Sequence, residues 1–221
     1  KRIVYAPFVE INHKERVFMA VALLKRYNGD IDKKINYNLL SSDELNRAYQ
    51  ALEKGDYKTA IYFLSYYANI GNAKAQYNYA IMLKKGLGTQ KDKNEAFKWF
   101  FISANQGNML ASYALGNMYY NGEGITKNYK LSFESYLKAS LSGHPASKIN
   151  LGNLYFHGLG VKKNLPKAYL WWKIALDKNI AGAEENIKML EDKFSKDEKK
   201  KANLLYYKCL QITLLACSKL N

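Results

Sequence analysis

"LGNMYYNGEG", residues 115–124, returns as "LGNLYFHGLG" at 151–160, and "YAIMLKKGLG" stands at 79–88, the same 36-residue step upstream. Along that step Gly86 and Gly88 fall on Gly122 and Gly124, then on Gly158 and Gly160. Gly71 falls on Gly107, Gly143 and then Asn179, while Ala75 falls on Ala111, Ser147 and Ala183. Phe100, Tyr136 and Trp172 coincide, as do Ala96, Ser132 and Ala168. Self-similarity at such a period marks a solenoid, whose units cannot bury their own apolar faces and therefore stack.

Each register has a local physical reading. Ala75, Tyr79, Ala80 and Leu83 recur at helical spacing, so residues 73–85 read as a helix. The glycine pair stops it, because glycine tolerates the positive φ of a helix C-terminus. Asp92, Asn128 and Asn164 stand where a second helix begins, as capping oxygens, and Pro166 suits a first helical turn. Gly107 or Gly143 closes the second helix, and Asn179 takes that place in the last copy. Each unit is thus two antiparallel helices, with Ala80, Gly116 and Gly152 allowing close approach and the second-helix aromatics filling the remaining space. The fold class expected is all-α, a right-handed α-solenoid.

The pattern A-x3-LG-x2-Y-x2-G-x-G-V-x8-A-x2-W resembles the Sel1-like repeat, of the tetratricopeptide-repeat superfamily. The copy from Ser147 to Ala175 matches best; the second departs at Ser132 and Ser135, and the first has Ala80 in place of glycine. Full copies are expected at 73–108, 109–144 and 145–180, with a partial one at 181–194. Residues 41–72, with the short turn "KGDY", read as a tetratricopeptide-like unit in the same row. "HKERVFMAVALLKRYNG", 13–29, reads as one helix within an unassigned segment, 1–40. Residues 195–221 read as an apolar capping helix that packs on the last repeat on one side. Its other side is open to cover by the solenoid, by a partner or by a second copy, which makes self-association through this helix an expectation. The chain opens on Lys1; a removed signal peptide or further chain before it, including a catalytic domain served by the repeats, remain open readings.

Composition narrows the function classes. Net charge is +15 with a pI near 9.5, yet Arg occurs only at Arg2, Arg16, Arg26 and Arg47. Nucleic-acid readers cluster Arg for its planar fork, so scattered lysines read as solvated helix faces rather than a nucleic-acid surface. No uncharged apolar run approaches a membrane span. His13, His144 and His157 lack metal-ligand spacing, and no nucleophile elbow, phosphate loop or acid–base carboxylate couple occurs. The expectation is a non-enzyme with no catalytic residues, no metal and no cofactor.

Cys209 and Cys217 lie eight apart. A continuous helix would separate them by ~12 Å, beyond disulfide reach, whereas a turn would permit a bond. Secreted cysteine-rich members of the family carry this C-x7-C spacing, so the resemblance implies a candidate disulfide and an oxidising compartment, periplasmic or secreted. The alternative is two buried small hydrophobes in a cytoplasmic protein.

First helices of such a solenoid line its concave side. Counting from Ala80, Gly116 and Gly152, the residues expected to face the groove are Tyr77, Tyr113 and Ile149; Ile81, Asn117 and Asn153; and Lys84, Tyr120 and Phe156. Lys85, Asn121 and His157 follow at the rim. The aromatics serve core or groove equally well, whereas an exposed Asn gains nothing from a core, which singles out Asn117 and Asn153. The family resemblance implies a protein or peptide partner and a scaffold or adaptor role, in bacterial envelope assembly, signalling or host interaction. The competing class is a cysteine-rich envelope protein that binds or hydrolyses a β-lactam-like, cell-wall-related ligand.

Overall fold

A computed structural model describes residues 42–220, with side chains from Glu44 onward. The helix expected over 13–29, and all of the 1–40 segment, lies outside the described residues. Within them the chain forms eleven helices and no strand. Helices α1 (Ser42–Glu53) and α2 (Tyr57–Asn69) make the first pair. Three pairs with long loops follow: α3 (Ala73–Lys85) with α4 (Lys93–Asn105), α5 (Met109–Asn121) with α6 (Tyr129–Leu141), and α7 (Ala146–His157) with α8 (Leu165–Leu176). From α1 to α8 each helix packs on the next, so the pairs stand in a row as an α-solenoid. The row ends with α9 (Ala183–Glu191), α10 (Lys196–Leu210) and α11 (Leu214–Ser218).

The caps explain why the elements begin where they do. Asp92, Asn128 and Asn164 each accept a hydrogen bond from the backbone N–H three residues on. That contact satisfies a donor the helix itself cannot use. Asn179 adopts φ 53°, the left-handed conformation that glycine supplies at the ends of the earlier second helices.

The glycine pairs have two separate duties. The first glycine ends a helix: Gly86, Gly122 and Gly158 sit at φ 70–75° and donate their N–H to the carbonyls of Met82, Met118 and Leu154. The second glycine holds neighbouring units together. A Cβ on Gly88, Gly124 or Gly160 would overlap the backbone of Tyr57, Lys93 or Tyr129. Those three residues open the second helix of the preceding unit. The loop after each first helix therefore seats its backbone on the neighbour's helix start.

Between the helices of one pair, Gly116 lies under the Tyr136 ring and Gly152 under the Trp172 indole, with no room for a Cβ in either case. Ala80 and Phe100 occupy the same places in the pair of α3 and α4, both fully buried. Ser132, which replaces alanine in the second copy, donates its hydroxyl to the Gly116 carbonyl at 2.8 Å. That bond lets a polar group stand where Ala96 and Ala168 are buried.

The C-terminus departs from the single helix expected over 195–221. Helix α10 starts with a reciprocal Ser195–Glu198 cap and stops at Leu210. Thr213 then accepts from the Ala216 N–H and starts the short α11. The turn between them brings the Cα atoms of Cys209 and Cys217 to 5.0 Å, and their sulfurs are bonded. Helix α10 lies along α8, where the Tyr206 hydroxyl donates to Asp177 at 2.6 Å. Leu204, Tyr207 and Leu210 face away from that contact and are exposed.

The two kinds of glycine predict different costs. Gly160→Ala combines a left-handed alanine with backbone overlap and should cost about 3 kcal/mol. Gly143→Ala shares the positive φ but meets nothing within 4 Å, and should cost about 1 kcal/mol. Urea unfolding of the two variants measures the difference.

Candidate binding surface

The nine groove positions expected from the sequence are all intermediate in exposure, one side in the core and the other open. Tyr77 tilts against Phe100 at 5.7 Å, and burial pushes its hydroxyl above the ordinary tyrosine range. Tyr113 stacks on His144 at 4.0 Å and leans on Tyr136 at 5.7 Å. Tyr120 meets Tyr129 edge-on at 5.3 Å, and Phe156 lies 5.6 Å from Trp172. Ile81 packs on the core of the α3–α4 pair and Ile149 on that of the α7–α8 pair. Lys85, Asn121 and His157 are exposed. These rings are therefore fixed by internal contacts before any partner arrives.

Asn117 and Asn153 are tied to the second helices. The Tyr136 hydroxyl donates to Asn117 Oδ1 at 2.7 Å. The Trp172 Nε1–H donates to Asn153 Oδ1 and to the Ile149 carbonyl, both at 3.2 Å. The sequence premise that these asparagines gain nothing from the core is thus corrected: each receives the polar tip of a buried aromatic. The signal was present in the pairing of the copies. Ile81 faces Phe100, which has no polar tip, whereas Asn117 faces Tyr136 and Asn153 faces Trp172.

An indole N–H can only donate, so it fixes Asn153 with its oxygen inward. Among the described residues, the two N–H donors of Asn153 and of Asn117 make no hydrogen bond. The wall formed by first helices thus combines preset rings with uncommitted amide donors.

Charge on this wall is partly spent internally. Lys84 reaches Glu123 of the next unit at 2.8 Å, and Lys93 approaches the same carboxylate at 3.5 Å. The hydrogen bond from Lys84 outweighs burial, which acts to raise the Glu123 pKa, and with the charges of both lysines holds that carboxyl below its ordinary value. Lys148 is buried beside His144 and donates to its carbonyl at 3.3 Å. Burial, then the neighbouring Lys178, lowers the Lys148 pKa; burial, then Lys148, lowers that of His144. Both therefore favour their neutral forms more than exposed counterparts would. Among the described residues there is no group of three or more metal-ligating side chains, and no helix is long and apolar enough to cross a membrane.

The lowered Glu123 pKa sets a pH dependence. Its folded carboxyl ionises more readily than the unfolded one, so the bridge contributes its full stability above the unfolded carboxyl's titration range. That contribution disappears as pH falls through the folded pKa. Glu123→Gln should melt below wild type at pH 7 and converge with it in acid, which thermal melts across pH will read.

The Sel1 repeat family model matches residues 73–108, 110–144 and 145–180. A Sel1 repeat protein from Oxalobacter formigenes is 30% identical, with a TM-score of 0.53, covering 57% of this chain and 94% of that one. A protective antigen of uropathogenic Escherichia coli strains, with an SLR fold, has a TM-score of 0.65 at 22% identity. The match covers 93% of this chain but only 47% of that protein. None of the curated proteins compared matches the chain. Proteins built from this repeat generally serve as protein–protein interaction scaffolds. With three matched repeats in one row and 30% identity across nearly all of the Oxalobacter protein, the chain belongs to the Sel1 repeat family.

Proposed function

We propose that the chain is a non-catalytic scaffold that holds an extended segment of a partner protein along its first-helix wall. The observation carrying this reading is the fixed orientation of Asn153 under the donor-only Trp172. Its free N–H donors, and those of Asn117, suit the carbonyls of a peptide backbone. Tyr77, Tyr113, Tyr120 and Phe156 add contact area on rings already immobilised, so little side-chain entropy is lost on binding. His157 and Lys85 form an exposed polar edge to the same surface. No cofactor or metal enters this function.

The bonded pair Cys209–Cys217 supports residence in an oxidising compartment such as a bacterial envelope. A scaffold role there uses the solenoid as a rigid ruler with a recognition wall, and needs no reacting group.

Asn117→Asp/Asn153→Asp is the discriminating variant. Aspartate keeps an acceptor for Tyr136 and Trp172 but removes every amide donor, whereas alanine would also take that acceptor away from the buried Tyr136 hydroxyl. Affinity capture should retain a partner with wild type and lose it with the double aspartate variant, at matched thermal stability. Equal capture by both proteins would remove the binding site from this wall.

A further inference from the structure

The opposite wall, built of second helices, contains a defect in the repeat. Trp99 of the first copy and Trp171 of the third stand at one register position, and the second copy has Ser135 there. The floor residue changes too: Gln76 and Lys148 correspond to Ser112. Two small residues at once leave an open cleft of about 180 Å³ between α4, α5 and α6. Phe101, Ser112, Leu115, Leu131, Ser135 and Lys138 line it, together with the Tyr119 ring and the Glu134 carboxylate.

The other copies show what shape the cleft has. Trp171 is 1% exposed in its own unit, and Trp99 meets Tyr79 edge-on at 5.5 Å. Tyr79 corresponds to Leu115, so the cleft opens over the residue on which an indole rests in the first copy. Its volume suits one large side chain and falls below that of pockets for whole small molecules. Phe101 and Leu131 are exposed at its mouth, 48% and 36%, although both are large and apolar. Lys138 stands where the other copies have Ile102 and Ile174. An ammonium there adds cation–π attraction to an aromatic guest.

We infer that this cleft is a docking site for a tryptophan side chain carried by a partner protein, which completes the second repeat as Trp99 and Trp171 complete the others. A second copy of this chain is a poor source. Its only tryptophans are Trp99, Trp171 and Trp172, and these are already packed in their own units. The cleft shares none of the residues assigned to the scaffold wall proposed above, so it stands or falls separately from it.

N-acetyl-L-tryptophanamide is the probe, with free indole and N-acetyl-L-leucinamide as comparisons. Amide shifts in protein NMR should place the tryptophan probe at Phe101, Ser112 and Ser135, with leucinamide weaker by about tenfold. Ser135→Trp should fill the cleft from within, raise the melting temperature and abolish those shifts. Ser112→Gln, which can reach the Ala104 carbonyl as Gln76 reaches that of Ala68 at 3.0 Å, closes the floor and should abolish them too. If Ser135→Trp does not fold, Ser112→Gln alone decides. No shift in wild type, or unchanged shifts in a folded cleft-filling variant, overturns the proposal. Free indole binding more tightly than the amide would assign the cleft to a free aromatic molecule and overturn the partner reading.

Discussion

The solenoid depends on a backbone-to-backbone contact that only glycine permits. Gly88, Gly124 and Gly160 each press against the opening residue of the previous unit's second helix. An unbranched contact of this kind tolerates neither a side chain nor a change of register, because packed interiors accommodate added volume poorly. It recurs at the same offset in three successive units, so each new pair inherits its position from the one before. The first glycine of each pair aims the chain into that contact by ending the helix in the left-handed conformation. Stability in such a row is a sum of unit and interface contributions, and these loop contacts belong to the interface.

A row so held presents one continuous wall of first helices. Its side chains are fixed from behind by the aromatics of the second helices. Tyr136 and Trp172 fill space over Gly116 and Gly152 while also orienting Asn117 and Asn153. The same rings that stabilise the pair therefore also set the orientation of the amides on the proposed binding wall. Part of the positive charge is neutralised within the row, where Lys84 and Lys93 share Glu123 of the next unit.

Most of the fold was legible because its determinants are local. The period, the αL stops, the capping Asp92, Asn128 and Asn164, and even the substitution of Asn179 for glycine follow from single residues and their neighbours. The site was legible only in part. Asn117 and Asn153 look like surface residues within their own helix, and their partners lie 19 residues away on another one. Reading them required comparing position pairs across the copies, with Ile81–Phe100 as the apolar counterpart. The break before Thr213 was hidden by an apolar stretch whose turn contains neither glycine nor asparagine. Ser135 was visible as a departure, but the empty volume it leaves depends on Phe101, Leu115 and Leu131 from three helices.

Hydrogen exchange on Gly124→Ala tests the glycine contact most directly. If the contact positions one unit on the next, the variant loses amide protection along the start of α4 and the end of α5, well outside the loop that carries the substitution. Deprotection confined to residues 122–128, with α4 and α5 exchanging as in wild type, would contradict the account.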